Sequence, residues 1–138
     1  GLDRAIALSQ AGEFVDKLPE GTEHRIAQMG RNVSGGQKQR LSIARALARE
    51  PEILIFDDSF SALDYRTDAK LRAGLEEQLA GTTKIIVAQR ISTIRHADEI
   101  IVLDRGEAVG MGTHEELMQS CPVYREIAMS QLSAAELA

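Results

Sequence analysis

The sequence predicts an α/β layer fold with a partly parallel sheet, and three observations carry that prediction. Ile53–Phe56 and Lys84–Ala88 are apolar runs too short for surface helices, and they read as buried strands. Longer segments with helical spacing, from Ser34 to Glu50 and from Asp68 to Leu79, alternate with them. The resulting order (helix, strand, helix, strand, strand, strand, helix) is that of helices layered on a sheet.

Each element has a local reason. Leu2 to about Val15 is spaced as one helix, with Leu2, Ile6 and Phe14 on or near one face, and Leu18-Pro19-Glu20-Gly21 turns the chain. Residues 22–33 are polar and irregular. Ser34 opens a long helix, with Gln37 three positions on as a capping box. Ile43, Ala46 and Leu47 form its apolar face, and Glu50-Pro51 stops it. Gly81 ends the Asp68–Leu79 helix. A helical turn near Ile91–Arg95 precedes strands at Glu99–Leu103 and Ala108–Met111, joined by an Asp104-Arg105-Gly106 turn. Thr113-x-x-Glu116 caps a further helix, Pro122 restarts one towards Leu132, and Ser130–Ala138 is read as a frayed tail.

Composition narrows the function classes. A chain of 138 residues can bury one modest core, and it opens on Gly1, as a piece of a longer polypeptide would. A net charge of −5 with interleaved signs argues against an autonomous nucleic-acid binder. The single cysteine, Cys121, excludes an internal disulfide framework and fits a reducing compartment. With no apolar run of membrane-spanning length and no signal peptide, any membrane connection must come through another segment or chain.

Two short peptides carry chemistry. A helix beginning Ser34-Gly35-Gly36-Gln37 presents unpaired backbone amides and the positive end of its dipole, and glycines let an anion come close. The Ser34 hydroxyl can either cap the helix or reach a phosphate oxygen; a plain capped start with a Gly-Gly hinge is the alternative. The strand ending in Asp57-Asp58 places carboxylates where ligands of open α/β sheets gather. One can hold magnesium directly or through water, and its neighbour can orient an attacking water. Two solvated acids at a strand end are the alternative. No Gly-x-x-x-x-Gly-Lys-[Ser/Thr] phosphate loop occurs anywhere in the chain.

Together the motifs resemble the ATP-binding cassette (ABC) ATPases. Val33-Ser34-Gly35-Gly36-Gln37-Lys38-Gln39-Arg40, followed by Ile43–Leu47, is similar to their signature motif and helix. Ile53–Asp58 resembles the Walker B strand, Ser61-Ala62-Leu63-Asp64 the D-loop, and Ile86–Ile94 the switch loop. Ala97–Gly106 and Gly112–Leu117 resemble the hairpin and helix that follow it. The likeness runs over essentially the whole chain, with every motif in order. It implies the C-terminal part of a P-loop NTPase-type ABC ATPase domain: the end of the helical subdomain at 1–50, and the second half of the parallel-sheet catalytic core at 51–138.

The family's upstream aromatic loop, Walker A and Q-loop have no counterpart here, so the resemblance implies an isolated chain that neither binds ATP tightly nor turns it over. In the family the signature acts in trans, completing a pocket whose Walker motifs belong to a second cassette. That implies ATP and Mg²⁺ as cofactors, with Val33, Ser34, Gly35, Gly36 and Gln37 on the partner's nucleotide and Asp57 serving magnesium. It also implies a second cassette and a transmembrane domain as partners, no nucleic acid, and a place on the cytoplasmic face of the plasma (inner) membrane.

Two departures from the family pattern stand out. Asp58 replaces the usual Glu, and one methylene fewer shortens its reach by about 1–1.5 Å, enough to spoil a hydrogen bond to an attacking water. Gln89 replaces the usual switch His; its amide can donate to a phosphate oxygen but cannot carry a charge near neutral pH. With the signature intact, this implies the weakened-site half of a heterodimeric, multidrug-type exporter, a homodimer with slow sites being the alternative. Gln89-Arg90-Ile91-Ser92-Thr93-Ile94 resembles the exporter His-Arg-Leu-Ser-Thr switch loop. Ala27-Gln28-Met29-Gly30 falls where exporters carry the X-loop that meets the coupling helices, Gln28 replacing its acidic residue. A soluble DNA-repair or ribosome-associated clamp and a truncated, inactive cassette are the rival readings.

The remaining residues have simpler readings. His24, His96 and His114 lack metal-site spacing, and His114 is a first-turn helix residue. Cys121 is a packed thiol, and Tyr124, Ile127 and Met129 form a core-facing helix side. Lys38, Arg40 and Arg45 are a solvated or structural face of the signature helix. Asp64 either bridges two cassettes or caps the next helix.

Overall fold

In the computed structural model, residues 1–132 are described, and they form two compact units, Gly1–Val87 and the remainder from Ala88. The first begins with α1 (Leu2–Leu8) and α2 (Gly12–Val15), where the spacing predicts one helix. The break is a left-handed cap. Gln10 sits at φ 59°, its amide returns to the Ala7 carbonyl at 3.1 Å, and the Ala11 amide reaches Ile6 at 3.0 Å. These paired backward bonds satisfy the end of α1 and turn the chain before α2.

α3 (Gly35–Leu47) starts at the predicted capping box: the Ser34 hydroxyl accepts from the Gln37 amide, and the Gln37 side chain accepts from Ser34. Left-handed Glu50 (φ 48°) and Pro51 end this helical stretch as read from the sequence. β1 (Ile53–Asp57) pairs in parallel with β2 (Thr83–Val87), Ile53 opposite Thr83 and Asp57 opposite Val87. Between them, α4 (Tyr65–Gln78) starts earlier than Asp68, because Asp64 caps it.

One core joins α1, α3, β1 and α4, while Phe14 and Val15 of α2 belong to a smaller cluster with Ala11. Ala5 and Leu8 of α1, Ile43 and Leu47 of α3, Leu54 and Phe56 of β1, Phe60, Leu63, and Leu71 and Leu75 of α4 form a continuous buried cluster. The expectation of fully buried strands is corrected. Leu54 and Phe56 are buried, but Ile53 and Ile55 on the opposite face are 58% and 67% exposed, and Ile85 and Val87 of β2 are exposed with them. The apolar runs reflect two apolar faces, of which only one is covered here.

The second unit holds α5 (Ile91–Ile94), β3 (Ile100–Asp104), β4 (Glu107–Gly112), α6 (His114–Ser120) and α7 (Pro122–Gln131). β3 and β4 are antiparallel, and Arg105 (φ 48°) and Gly106 (φ 83°) give the doubly left-handed two-residue turn that suits a twisted hairpin. Thr113 and Glu116 make the predicted capping box. Tyr124 and Ala128 of α7 and Leu132 just after it, each four residues apart, form a buried stripe packed with Ile91, Ile100, Val102, Leu117 and Cys121. Ile127 and Met129 are exposed, which corrects their placement on the core. In the tail read as frayed, Ser130 and Gln131 complete α7, and residues 133–138 lie outside the described residues. No helix among the described residues is long and apolar enough to cross a membrane.

Candidate functional site

The first unit gathers the Ser34 helix start, the end of β1 and the segment after it. The capping box uses the amides of Ser34 and Gln37. By helix geometry the Gly35 and Gly36 amides have no intrahelical acceptor and stay available to an anion. The two readings of Ser34 are compatible: its oxygen accepts from Gln37 at 3.2 Å, and its hydroxyl proton can still be donated. Gln37 gives its carbonyl oxygen to the Ser34 amide at 2.9 Å, which leaves its amide nitrogen for a ligand. Val33 is half-buried; Ser34 and Gly35 are exposed.

The glycines also serve packing. A Cβ on Gly36 would lie 3.0 Å from the Ala62 carbonyl oxygen, and one on Gly35 would lie 3.7 Å from the Ala62 Cβ. The helix start therefore rests on Ala62, and glycine lets it approach.

Asp57 is the last residue of β1, and its side chain is exposed. Asp58 follows at φ 52°, a left-handed conformation that Asp tolerates better than most residues with a side chain. Its amide donates to the Val87 carbonyl at 2.9 Å, and its own carbonyl accepts from the Ser61 hydroxyl at 3.1 Å. Leu63 is buried in the core beside Phe60, whose ring lies 5.1 Å from that of Phe56. Asp64 caps α4: its carboxylate accepts from the Thr67 amide at 2.8 Å and hydroxyl at 3.0 Å, and these bonds hold its pKa below the usual carboxylate value.

Sequence reasoning passed over Gln39. From α3 its side-chain nitrogen donates to the Asp58 carbonyl (3.1 Å) and the Ser61 hydroxyl (3.0 Å), and its side-chain oxygen accepts from the Ala62 amide (2.8 Å). Arg40 resolves to the structural reading, lying over Phe14 at 4.8 Å and donating to the Gln10 carbonyl at 2.9 Å, whereas Lys38 and Arg45 are exposed. The 27–30 loop carries left-handed Met29 at φ 60°, 79% exposed, and Asn32 ties its flank by accepting from the Ala27 amide at 2.9 Å.

In the second unit Gln89 is exposed, and its backbone is bracketed by another glutamine absent from the sequence reading. The Gln131 side chain donates to the Gln89 carbonyl at 2.8 Å and accepts from the Ile91 amide at 2.9 Å. His114, in the first turn of α6 as expected, is buried, with Nδ1 2.7 Å from the Tyr124 hydroxyl. Burial, aided by the Arg95 charge, holds the His114 pKa below its usual value, and burial pushes Tyr124 up to about 12. Cys121 is buried, a packed thiol as expected.

For magnesium, the exposed Asp57 carboxylate is chemically apt as one hard oxygen ligand. Among the described residues no group of three or more His, Cys, Asp or Glu could form a metal cage, so further ligands would be nucleotide oxygens and water.

These features suit an α/β site for an anion and magnesium, and comparison with known proteins shows what the chain is similar to. Residues 6–61 match the family model described as ABC transporter. The chain is similar to an ABC transporter ATP-binding protein of Mycobacterium tuberculosis, 50% identical over 131 residues, covering 95% of this chain and 22% of the relative. It is also similar to an ABC multidrug transporter of Emericella nidulans, 41% identical over 130 residues, covering 94% of this chain and 10% of that one. Among solved structures it matches that of a bacterial Atm1-family ABC exporter with ATP bound, with a TM-score of 0.91 and 36% identity over 96% of this chain and 23% of the other. The chain is similar to ABC transporter ATP-binding proteins and has the ABC ATPase fold. It spans about a fifth of the length of the ATP-binding relatives it matches.

Proposed function

We propose that this chain is part of the ATP-binding domain of an ABC exporter, coupling ATP binding and hydrolysis to transmembrane export. The observation that carries the reading is the packing of the Ser34-Gly35-Gly36 helix start onto the segment that leads from Asp57-Asp58 to Asp64. Anion-binding amides and magnesium-apt carboxylates are thereby held in one unit. Similarity to the Emericella nidulans multidrug transporter and to the Atm1-family exporter supports the exporter class.

In this reading residues 1–50 belong to the helical subdomain and 51–138 to the catalytic core. Val33, Ser34, Gly35, Gly36 and Gln37 grip the γ-phosphate of ATP bound to a second cassette. Magnesium, where bound, neutralises phosphate charge, with Asp57 as this chain's ligand. Asp58 is a shortened water-orienting carboxylate and Gln89 a charge-free phosphate sensor, so the site on this chain hydrolyses slowly while its signature completes a competent one. Ser61, Ala62, Leu63 and Asp64 line the seam between cassettes. The same reading has the exposed Met29 loop meet the coupling helices of a transmembrane domain, at the cytoplasmic face of the membrane. Having no phosphate loop of its own, the isolated chain is inactive.

The test uses the full-length transporter in membranes with its partner cassette. Replacing Ser34 with Ala removes both the cap and the phosphate donor, and Mg-ATP turnover is expected to fall at least about a hundredfold, the scale of losing a transition-state donor. Turnover within twofold of wild type would refute the reading.

A further inference from the structure

We infer that Gln39 is a positioning residue for ATP hydrolysis, holding the segment from Asp58 to Ala62 against the signature helix. It deepens the function proposed above and rests on it. Three observations meet at this side chain. Its nitrogen donates to the Asp58 carbonyl and the Ser61 hydroxyl, and its oxygen accepts from the Ala62 amide, so one carboxamide satisfies polar groups at three nearby residues. The Asp58 it grips is left-handed, and its amide is held by the Val87 carbonyl while Gln39 and Ser61 hold its own carbonyl. The same helix closes on Ala62 so tightly that a Cβ on Gly36 would stand 3.0 Å from the Ala62 carbonyl oxygen.

The consequence is directional. Ser34 caps the helix that carries Gln39, so the group proposed to meet the partner's phosphate is seated on Ala62 through that helix. Loosening that seat misplaces the signature donors on the partner-bound γ-phosphate, which lowers turnover at the competent site without greatly altering ground-state binding. Gln39 touches neither nucleotide nor water in this scheme; it acts through Ala62 and the helix that Ser34 caps.

Two variants of the full-length transporter separate this role from general stability. Gln39→Met keeps the volume and loses all three bonds; Gln39→Glu keeps the acceptor for Ala62 and loses the donor to Asp58. Both are expected to lower kcat for Mg-ATP about tenfold while KM changes less than about threefold. Amide exchange at Ala62 is expected to accelerate in Gln39→Met and stay slow in Gln39→Glu, a readout independent of activity. Wild-type kcat in both variants, a raised KM with unchanged kcat, unchanged Ala62 exchange in Gln39→Met, or failure of both to fold would overturn the proposal. If wild-type transporter itself turns over no ATP, the proposed function fails, while Ala62 exchange still decides whether Gln39 holds the loop.

Discussion

At the scale of single residues, two side chains illustrate how packing constrains chemistry. Gly36 looks in sequence like a concession to a ligand, yet its nearest neighbour here is the Ala62 carbonyl, which cannot swing aside as a side-chain end would. Gly36→Ala is therefore expected to force α3 off the loop and destabilise the protein by about 1–3 kcal/mol, the cost of overpacking, as read by urea unfolding. His114 is the second case. Buried against Tyr124, it has a folded-state pKa below 6.5, so the unfolded chain binds its proton first as pH falls. Its stabilising contribution is complete above the unfolded value and drains away as pH drops through the lower folded one. Stability should thus decline on acidification below about pH 6.5, and His114→Gln should flatten that part of the profile in thermal melts. An unchanged slope would remove His114 from the account.

At the scale of elements, local rules were legible and long-range ones were not. Both capping boxes, the Arg105-Gly106 turn and the Glu50-Pro51 stop could be read because each is written within a few neighbouring residues. The break at Gln10 was missed because left-handed Gln carries no glycine signal, and α4 was started late because Asp64 was weighed as a cassette bridge as well as a cap. Its capping bonds give a direct prediction: Asp64→Ala should cost about 1 kcal/mol, measured as a shift in urea midpoint at constant slope. The candidate site divides in the same way. Ser34, Gly35, Gly36, Asp57 and Asp58 were readable as motifs. The two glutamines that hold the loops, Gln39 and Gln131, bond to residues 19 to 42 positions away, and no local pattern announces those bonds, although Gln39 lies inside the signature stretch.

At the scale of the whole molecule, the exposed faces of β1 and β2 show that apolarity in sequence measures what a strand can bury, not what this chain alone covers. The same logic applies to function: the fold is that of an ABC ATPase, while the reaction is proposed to need a second cassette and the rest of a transporter. The central claim is an asymmetry between a serviceable signature and a weakened carboxylate on one chain. Steady-state ATPase of the full-length protein with its partner cassette, comparing Ser34→Ala with Asp58→Ala, tests it most directly. The account predicts that Ser34→Ala abolishes turnover while Asp58→Ala leaves most of it. Equal loss in both would contradict it, because Asp58 would then be a working catalytic carboxylate.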